Sequence, residues 1–91
     1  MRLTRHLFIT GRVQGVGFRL YMQQQARKAA ITGWVRNRQD GTVEAVVQGT
    51  PDAVEDITEW ARHGPPGATV TDIQIAEGTG EYETFETRPT A

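Results

Sequence analysis

The residues best suited to chemistry lie in one stretch, Gly11-Arg12-Val13-Gln14-Gly15-Val16-Gly17-Phe18-Arg19. Its three glycines allow the backbone to turn its N–H groups toward a common point. Such a turn, where it opens onto a helix N-terminus, forms a positive concavity that suits a phosphate or a carboxylate. Arg19 adds a planar fork of donors that can bind two oxygens of a phosphoryl group together. The stretch therefore predicts an anion-binding loop.

A purely structural interpretation of this stretch stays open. Glycine-rich turns often join a strand to a helix, and a neighbouring arginine is often only solvated. Two familiar phosphate motifs do not fit, because the chain lacks the Gly-Lys-Ser/Thr ending of a P-loop. It also lacks the acidic residue that a dinucleotide fingerprint places about 20 residues further on.

The composition limits the groups that could attack a substrate. The chain has no cysteine and no serine, which excludes the commonest covalent nucleophiles and leaves Thr, Asp, Glu, His, Lys or a bound water. It also excludes a disulfide framework and a thiolate zinc site. We therefore expect any phosphate chemistry here to use water.

Length and charge bound the class of protein. With 91 residues and a net charge of -1, we expect one domain, residues 1–91, without the basic field that drives nucleic-acid binding. The chain has no 18-residue apolar run, and the stretch before the loop is too short for a signal peptide. These features predict a cytoplasmic protein that binds neither nucleic acid nor membrane, and nothing demands more than a monomer.

The elements that must position the loop follow from hydrophobic periodicity. Leu7 and Ile9 alternate with polar or exposed positions and predict a first strand that ends at Gly11. Apolar residues at spacings of three and four predict an amphipathic helix from Phe18 to about Ala30. Residues 32–38 and 42–48 alternate as strands around the Asp40-Gly41 turn signal, which predicts a β-hairpin.

The second half repeats the pattern. Thr50-Pro51-Asp52 is a helix start, and Gly64 ends that helix. The spacing of Val70, Ile73 and Ile75 predicts a fourth strand with a bulge. Residues 82–87 could form a short fifth strand, which should stop before Pro89 and leave a frayed tail.

This order of elements predicts an α+β, ferredoxin-like split β-α-β sandwich, in which an antiparallel sheet of four to five strands carries both helices on one face. Right-handed crossover makes the first two strands run the same way, with the third between them. Their C-terminal ends then share one edge of the sheet. The glycine loop ends the first strand and Asn37 ends the second, so the topology predicts an amide side chain beside the anion site.

These motifs together closely resemble acylphosphatase, over nearly the whole chain. The resemblance implies metal-free, cofactor-free hydrolysis of a small-molecule acyl phosphate to a carboxylate and inorganic phosphate. By that resemblance Arg19 is the phosphate-binding arginine and Asn37 positions the attacking water. The matching segments are the glycine loop, Gly33-Trp34-Val35-Arg36-Asn37-Arg38, Asp40-Gly41-Thr42-Val43-Glu44, Gln48-Gly49 and Gly64-Pro65-Pro66.

The implied chemistry is reasonable without a strong acid or base. A carboxylate of pKa about 4 leaves readily without protonation, and a loose phosphoryl-transfer transition state accepts a weakly activated water. Besides the Arg19 side chain, the phosphoryl oxygens would be bound by the backbone N–H groups of Gln14, Gly15, Val16, Gly17 and Phe18.

The remaining polar residues have simpler interpretations. We expect His6 and His63 to be surface or hydrogen-bonded residues, Asp40 to serve the turn and Glu44 to be solvated on its strand. Two rival functions stay open. One is a noncatalytic anion-binding module, such as the acylphosphatase-like domain of a carbamoyl-transferring maturation protein. The other is an RNA-binding ferredoxin-like domain, which needs exposed aromatics and a basic face.

Overall fold

The computed structural model describes residues 1–91. It contains two helices and five strands, and neither helix has the length and apolar character needed to cross a bilayer. The elements in chain order are β1 (Leu3–Arg12), α1 (Phe18–Lys28), β2 (Thr32–Asn37), β3 (Val43–Gly49), α2 (Pro51–His63), β4 (Thr69–Glu77) and β5 (Phe85–Thr87).

The strands form one sheet in the order β4-β1-β3-β2-β5. The first four strands pair antiparallel, which confirms the predicted ferredoxin-like sheet. β5 pairs in parallel with β2, from Gly33 opposite Phe85, so the sheet as a whole is mixed rather than fully antiparallel. The chain leaves β4 beside the start of β1 and reaches β2 near its first residue. It can therefore only continue along β2 in the same direction.

The core lies between the sheet and the two helices. Alternate residues of the inner strands point toward the helices, and each helix contributes one apolar stripe, as the periodicities of two and 3.6 require. Helix α1 packs by this stripe against β2 and β5, and α2 packs against β1, β3 and β4, so the start of α1 is held close to the end of β2. The buried residues include Leu7, Ile9, Phe18, Met22, Ala26, Val35, Val43, Ala45, Val47, Val54, Ile57 and Ala61.

Helix α1 ends earlier than the expected Ala30. Ala30 adopts the left-handed conformation, with φ of 56°. The Ile31 N–H then turns back to donate to the Ala26 carbonyl at 2.8 Å. This closure satisfies a helix-terminal carbonyl and leads the chain directly into β2.

The predicted bulge in β4 is confirmed. Thr10 pairs with Asp72 and Gly11 pairs with Val70, so Thr71 is an extra residue on β4. The extra residue lets Val70 and Ile73 both pack against the core despite their odd spacing. The bulge lies where β1 runs into the glycine loop.

The chain beyond β5 is bonded to β2, and the expected fraying is not found. β5 ends at Thr87, before Pro89, as predicted. Arg88 N–H donates to the Val35 carbonyl at 2.9 Å, and Ala91 N–H donates to the Asn37 carbonyl at 3.1 Å. These donors lie on either side of Pro89, so the missing N–H of the proline costs no bond to β2.

The face of the sheet opposite the helices carries a buried carboxylate, so the expectation that Glu44 is solvated is wrong. Its side chain is only 4% exposed. It accepts from Arg36 Nε at 2.8 Å and from His6 Nε2 at 2.6 Å, while Arg38 Nη1 lies 3.5 Å away. Long side chains on both neighbouring strands cover it, an arrangement that alternation along a single strand does not reveal.

This cluster shifts the titration of Glu44. Burial alone would raise the pKa of the Glu44 carboxyl, but the hydrogen bonds from Arg36 and His6 outweigh burial and lower that pKa below its ordinary value of 4.5. The carboxylate therefore stabilises the fold above the unfolded-state pKa. That contribution is lost as the pH falls through the lowered folded-state pKa.

We expect Glu44→Gln to lower the free energy of unfolding at pH 7 by about 1–3 kcal/mol. A fully buried pair loses about 3–5 kcal/mol, but His6 and Arg36 are 30% exposed and screened by solvent. The difference from wild type should start to shrink as the pH falls below the ordinary carboxyl pKa of 4.5, and it should be lost as the pH falls through the lower pKa of the folded state. Urea titrations of the wild type and of Glu44→Gln at pH 7 and pH 3 measure this difference in the free energy of unfolding.

The matched control is Glu55→Gln, which breaks the exposed 3.0 Å pair with Arg5 and should cost less than about 1 kcal/mol. An equal loss in Glu44→Gln at both pH values would contradict the role of the ionised carboxylate.

Candidate active site

A cleft of about 340 Å³ lies where the β1–α1 loop meets the end of β2. It contains Arg19 and Asn37 together, although 18 positions separate them in the sequence, as the topology predicts. Among the predicted phosphate-binding residues, only Val16 does not line the cleft, because its side chain packs against the core. The lining residues are Val13, Gln14, Gly15, Gly17, Phe18, Arg19, Leu20, Gln23, Asn37 and Thr87.

The backbone of this loop has a continuous run of free donors. The first backbone bond of the helix runs from Tyr21 N–H to the Gly17 carbonyl at 3.0 Å. None of the N–H groups of residues 14–20 donates to another group of the protein. Helix termini normally leave such donors to side-chain caps, water or ligands. The run can therefore bind a group with several oxygens.

The two helices differ at their N-termini. In α2 the Thr50 hydroxyl accepts from Ala53 N–H at 3.3 Å, and Asp52 places a carboxylate in the first turn. In α1 the N-cap is Gly17, with no side-chain cap and no acidic residue in the first turn. The positive end of the α1 dipole is thus left uncompensated by the chain, which suits a bound anion.

Two glycines set the shape of the loop. Gly15 and Gly17 have φ values of 75° and 77°, in the left-handed region that other residues rarely adopt. The Tyr21 ring packs beside Gly17, where an added Cβ would lie 3.4 Å away. The turn is held by backbone conformation and by this contact rather than by hydrogen bonds of its own N–H groups.

Arg19 is the only ionisable side chain in the cleft. It forms no ion pair with the chain's own carboxylates, whereas most of the other arginines do. Arg12 and Arg27 are also unpaired, but both are exposed, while Arg19 is partly buried. A partly buried guanidinium without a partner is suited to an anionic ligand.

The Asn37 side chain is free while its backbone is fixed on both sides. Asn37 pairs with Val43 on β3 and accepts from Ala91 N–H at 3.1 Å. Its carboxamide makes no hydrogen bond within the protein. A rigid backbone that carries an unpaired amide can orient a water molecule at the cleft.

The Gln14 side chain has a structural role that sequence analysis missed. Its Nε2 donates to the Arg38 carbonyl at 2.7 Å and to the Thr42 carbonyl at 3.0 Å. These bonds tie the glycine loop to the β2–β3 hairpin directly after Asn37. The only signal in the sequence was a long amide side chain in a loop that the topology places beside the hairpin.

The other polar residues singled out in the sequence lie elsewhere. His6 contacts Glu44 on the open face, and the exposed His63 lies 3.3 Å from Glu59. Asp40 serves the turn as predicted, because it accepts from Thr42 N–H at 3.0 Å and from the Thr42 hydroxyl at 2.6 Å. No group of three or more His, Asp or Glu side chains is placed to hold a metal ion.

Comparison with known proteins identifies the family. The acylphosphatase family model matches residues 5–87. The chain belongs to the acylphosphatase family. Its similarity to an acylphosphatase of Thiobacillus denitrificans is 54% identity over 85 residues, which covers 93% of this chain and 96% of the relative. Acylphosphatases are hydrolases that act on acid anhydrides, so the reaction class implied by the sequence motifs is confirmed.

Solved structures support the same assignment. An acylphosphatase from Coxiella burnetii superposes with a TM-score of 0.91 at 36% identity, covering 96% of this chain and 93% of that one. Full-length HypF in a phosphate- and nucleotide-bound form superposes with a TM-score of 0.90 at 28% identity, but this chain covers only 12% of HypF. The fold therefore occurs both as an acylphosphatase and as a small part of a larger protein.

Proposed function

We propose that this acylphosphatase binds the phosphoryl group of its substrate in the glycine loop, with Arg19, and that Asn37 orients the attacking water. The observation that carries this proposal is the run of free N–H groups over residues 14–20 beside the unpaired Arg19 guanidinium. Together they supply several fixed donors and one full positive charge. A phosphoryl group offers the matching oxygens and negative charge.

The donors act on the transition state as well as on the substrate. In phosphoryl transfer the equatorial oxygens carry charge while the attacking and leaving oxygens lie roughly in line. Backbone N–H groups from Gln14 to Phe18 and the Arg19 fork bind those oxygens and need no rearrangement during the reaction. Preorganised donors of this kind commonly supply the largest part of catalysis.

Asn37 supplies position rather than basicity. Its carboxamide oxygen accepts a hydrogen bond from the water and aims it at phosphorus, opposite the acyl oxygen. The P–O bond to the acyl group breaks as the new P–O bond forms, and the products are a carboxylate and inorganic phosphate. Because a carboxylate is a good leaving group and the transition state is loose, neither a general acid nor a metal ion is needed.

We further propose a cytoplasmic monomer that binds neither nucleic acid nor membrane. Support for a monomer is that the glycine loop, Arg19 and Asn37 all lie at one cleft, so the proposed reaction needs no residue from a second copy. The near-balanced net charge of -1 argues against a nucleic-acid partner, and the absence of cysteine is compatible with the cytoplasm.

The open face of the sheet gives no support to the RNA-binding alternative. Trp34 is buried, and the guanidinium groups of Arg36 and Arg88 each lie 4.8 Å from its ring centroid. His6 stacks on Phe8 at 4.5 Å, and Arg38 also lies over Phe8, at 5.6 Å. These aromatic faces are already occupied by side chains of the protein, whereas RNA recognition on such a sheet uses free ones.

The purified protein should hydrolyse a small acyl phosphate at the same rate with and without EDTA. The measurement is release of inorganic phosphate after passage of the protein through a chelating resin. Activity abolished by chelation would contradict the metal-free mechanism. Phosphate binding without any turnover would instead indicate a noncatalytic anion-binding module.

Arg19→Ala and Asn37→Ala should have different kinetic effects. Arg19→Ala should lower kcat/KM by on the order of 10³-fold and weaken inhibition by inorganic phosphate, because it removes the one cation of the cleft. Asn37→Ala should lower kcat by about 10²–10³-fold while the phosphate inhibition constant stays nearly unchanged. Near wild-type turnover in Asn37→Ala would remove that residue from the mechanism.

Gln14→Met should lower kcat by about 10–100-fold, because the loop and Asn37 lose their common anchor and small displacements of reacting groups are costly. Gln48→Met is the matched control. The Gln48 Nε2 likewise donates to two oxygens, of Thr4 and Gly80, but far from the cleft. The Gln48→Met variant should be less stable than the wild type but should keep the wild-type kcat.

A double-mutant cycle isolates the role of Gln14. If Gln14 acts through the position of Asn37, Gln14→Met should cost little more in an Asn37→Ala background. Fully additive losses in kcat would contradict a role through Asn37 and would indicate that Gln14 acts on the glycine loop alone.

A further inference from the structure

The mouth of the cleft carries an apolar side chain that the core does not use. The large exposed hydrophobic residues of the chain are Met1, Leu20, Tyr21 and Ile75. Only Leu20 lines the cleft, and its 57% exposure exceeds the 41% of Tyr21 and of Ile75. Single exposed hydrophobics are common, so the position of Leu20 has to be argued from its surroundings.

Leu20 has no packing role within the chain. Tyr21, the next residue, packs its ring beside Gly17, but Leu20 belongs neither to the buried core nor to the residues packed against it. Apart from Tyr21, the other exposed or half-exposed residues of α1 after Leu20 are mostly polar and include three glutamines, Arg27 and Lys28. A leucine is therefore the exception on this face, and it lies beside Arg19.

The cleft extends beyond the atoms that bind phosphate. Leu20 and Gln23 are one turn apart on α1, and Thr87 lines the same cleft from β5. Gln23 is held in place by its Nε2, which donates to the Phe85 carbonyl at 3.3 Å. Leu20 and Gln23, here called the acyl subsite, contain no charged group.

The in-line geometry of phosphoryl transfer indicates which part of the substrate contacts these residues. The leaving acyl oxygen lies on the side of phosphorus opposite the water. Asn37, which orients that water, is on β2, whereas Leu20 and Gln23 are on α1. An acyl group that leaves on the side away from Asn37 would extend toward α1, where Leu20 and Gln23 line the cleft.

We propose that the acyl subsite selects acyl phosphates whose acyl group is an uncharged hydrocarbon chain, and that Leu20 is its specificity-determining residue. This inference rests on the proposed function, since the phosphoryl group must occupy the glycine loop. The only cation of the cleft is engaged by the phosphoryl group, so a second anionic group on the acyl chain has no partner there. An apolar acyl chain that packs against Leu20 removes apolar surface from water, which favours binding.

Three substrates with the same phosphoryl group test the proposal: acetyl phosphate, butyryl phosphate and succinyl monophosphate. Butyryl and succinyl groups have the same number of carbons and differ by a terminal carboxylate. The wild type should have the highest kcat/KM for butyryl phosphate. Leu20→Ala should lower that value about fivefold to tenfold and change the value for acetyl phosphate less than twofold.

A second variant tests the same proposal by adding a cation to the acyl subsite. Leu20→Lys should raise the ratio of kcat/KM for succinyl over butyryl phosphate at least tenfold, because it supplies the missing cation. Ile75→Ala, which removes a comparably exposed side chain outside the cleft, should leave all three values unchanged. Inhibition by inorganic phosphate should be the same in Leu20→Ala and Ile75→Ala as in the wild type.

The possible failures are distinguishable. A wild type that hydrolyses none of the three compounds would overturn the proposed function itself. Hydrolysis of all three with equal losses in Leu20→Ala, or with an unchanged ratio in Leu20→Lys, would overturn only the acyl subsite.

Discussion

The site depends on a stretch of backbone whose N–H groups form no hydrogen bonds within the protein. From the β1–α1 loop into the first turn of α1, the N–H groups of residues 14–20 have no partner in the protein. A donor left unsatisfied away from water costs about 1–3 kcal/mol. The loop keeps this arrangement because both of its ends are fixed. β1 is paired on both sides in the sheet, and α1 is anchored by Phe18, Met22 and Ala26. Solvent and ligand are the partners that remain.

The second half of the site is fixed by the sheet and reaches the loop through one side chain. Asn37 is at the end of β2, bonded toward β3 on one side and toward the chain end on the other. Gln14 then joins the loop to the hairpin that follows Asn37. The distance between the anion site and the amide is thus set by backbone pairing plus two bonds from one glutamine.

Local patterns predicted most of this structure, and the remainder depends on contacts between distant segments. The Asp40-Gly41 turn, the Thr50 cap and the spacing of Val70 and Ile73 each specify a nearby backbone conformation, and all three were predicted correctly. Crossover handedness was enough to bring Asn37 to the loop. Alternation assigned Glu44 to the outer face but could not show that side chains from two other strands bury it. The Gln14 tether and the parallel pairing of β5 likewise depend on partners remote in sequence.

The contrast between the two faces of the sheet explains why the cleft is the reactive surface. On the open face the arginines are internally compensated, since Arg36 and Arg38 contact Glu44 and Arg88 lies 3.8 Å from Glu86. These ion pairs stabilise the sheet, and because the charges are neutralised they exert little electrostatic attraction on an anionic ligand. In the cleft the same residue type, Arg19, has no carboxylate, and the adjacent helix end has no cap. Elsewhere the chain pairs its polar groups internally, whereas the Arg19 guanidinium and the N–H groups at the start of α1 are left without partners. Natural proteins leave polar groups unpaired mainly at functional sites, so these groups mark the binding site.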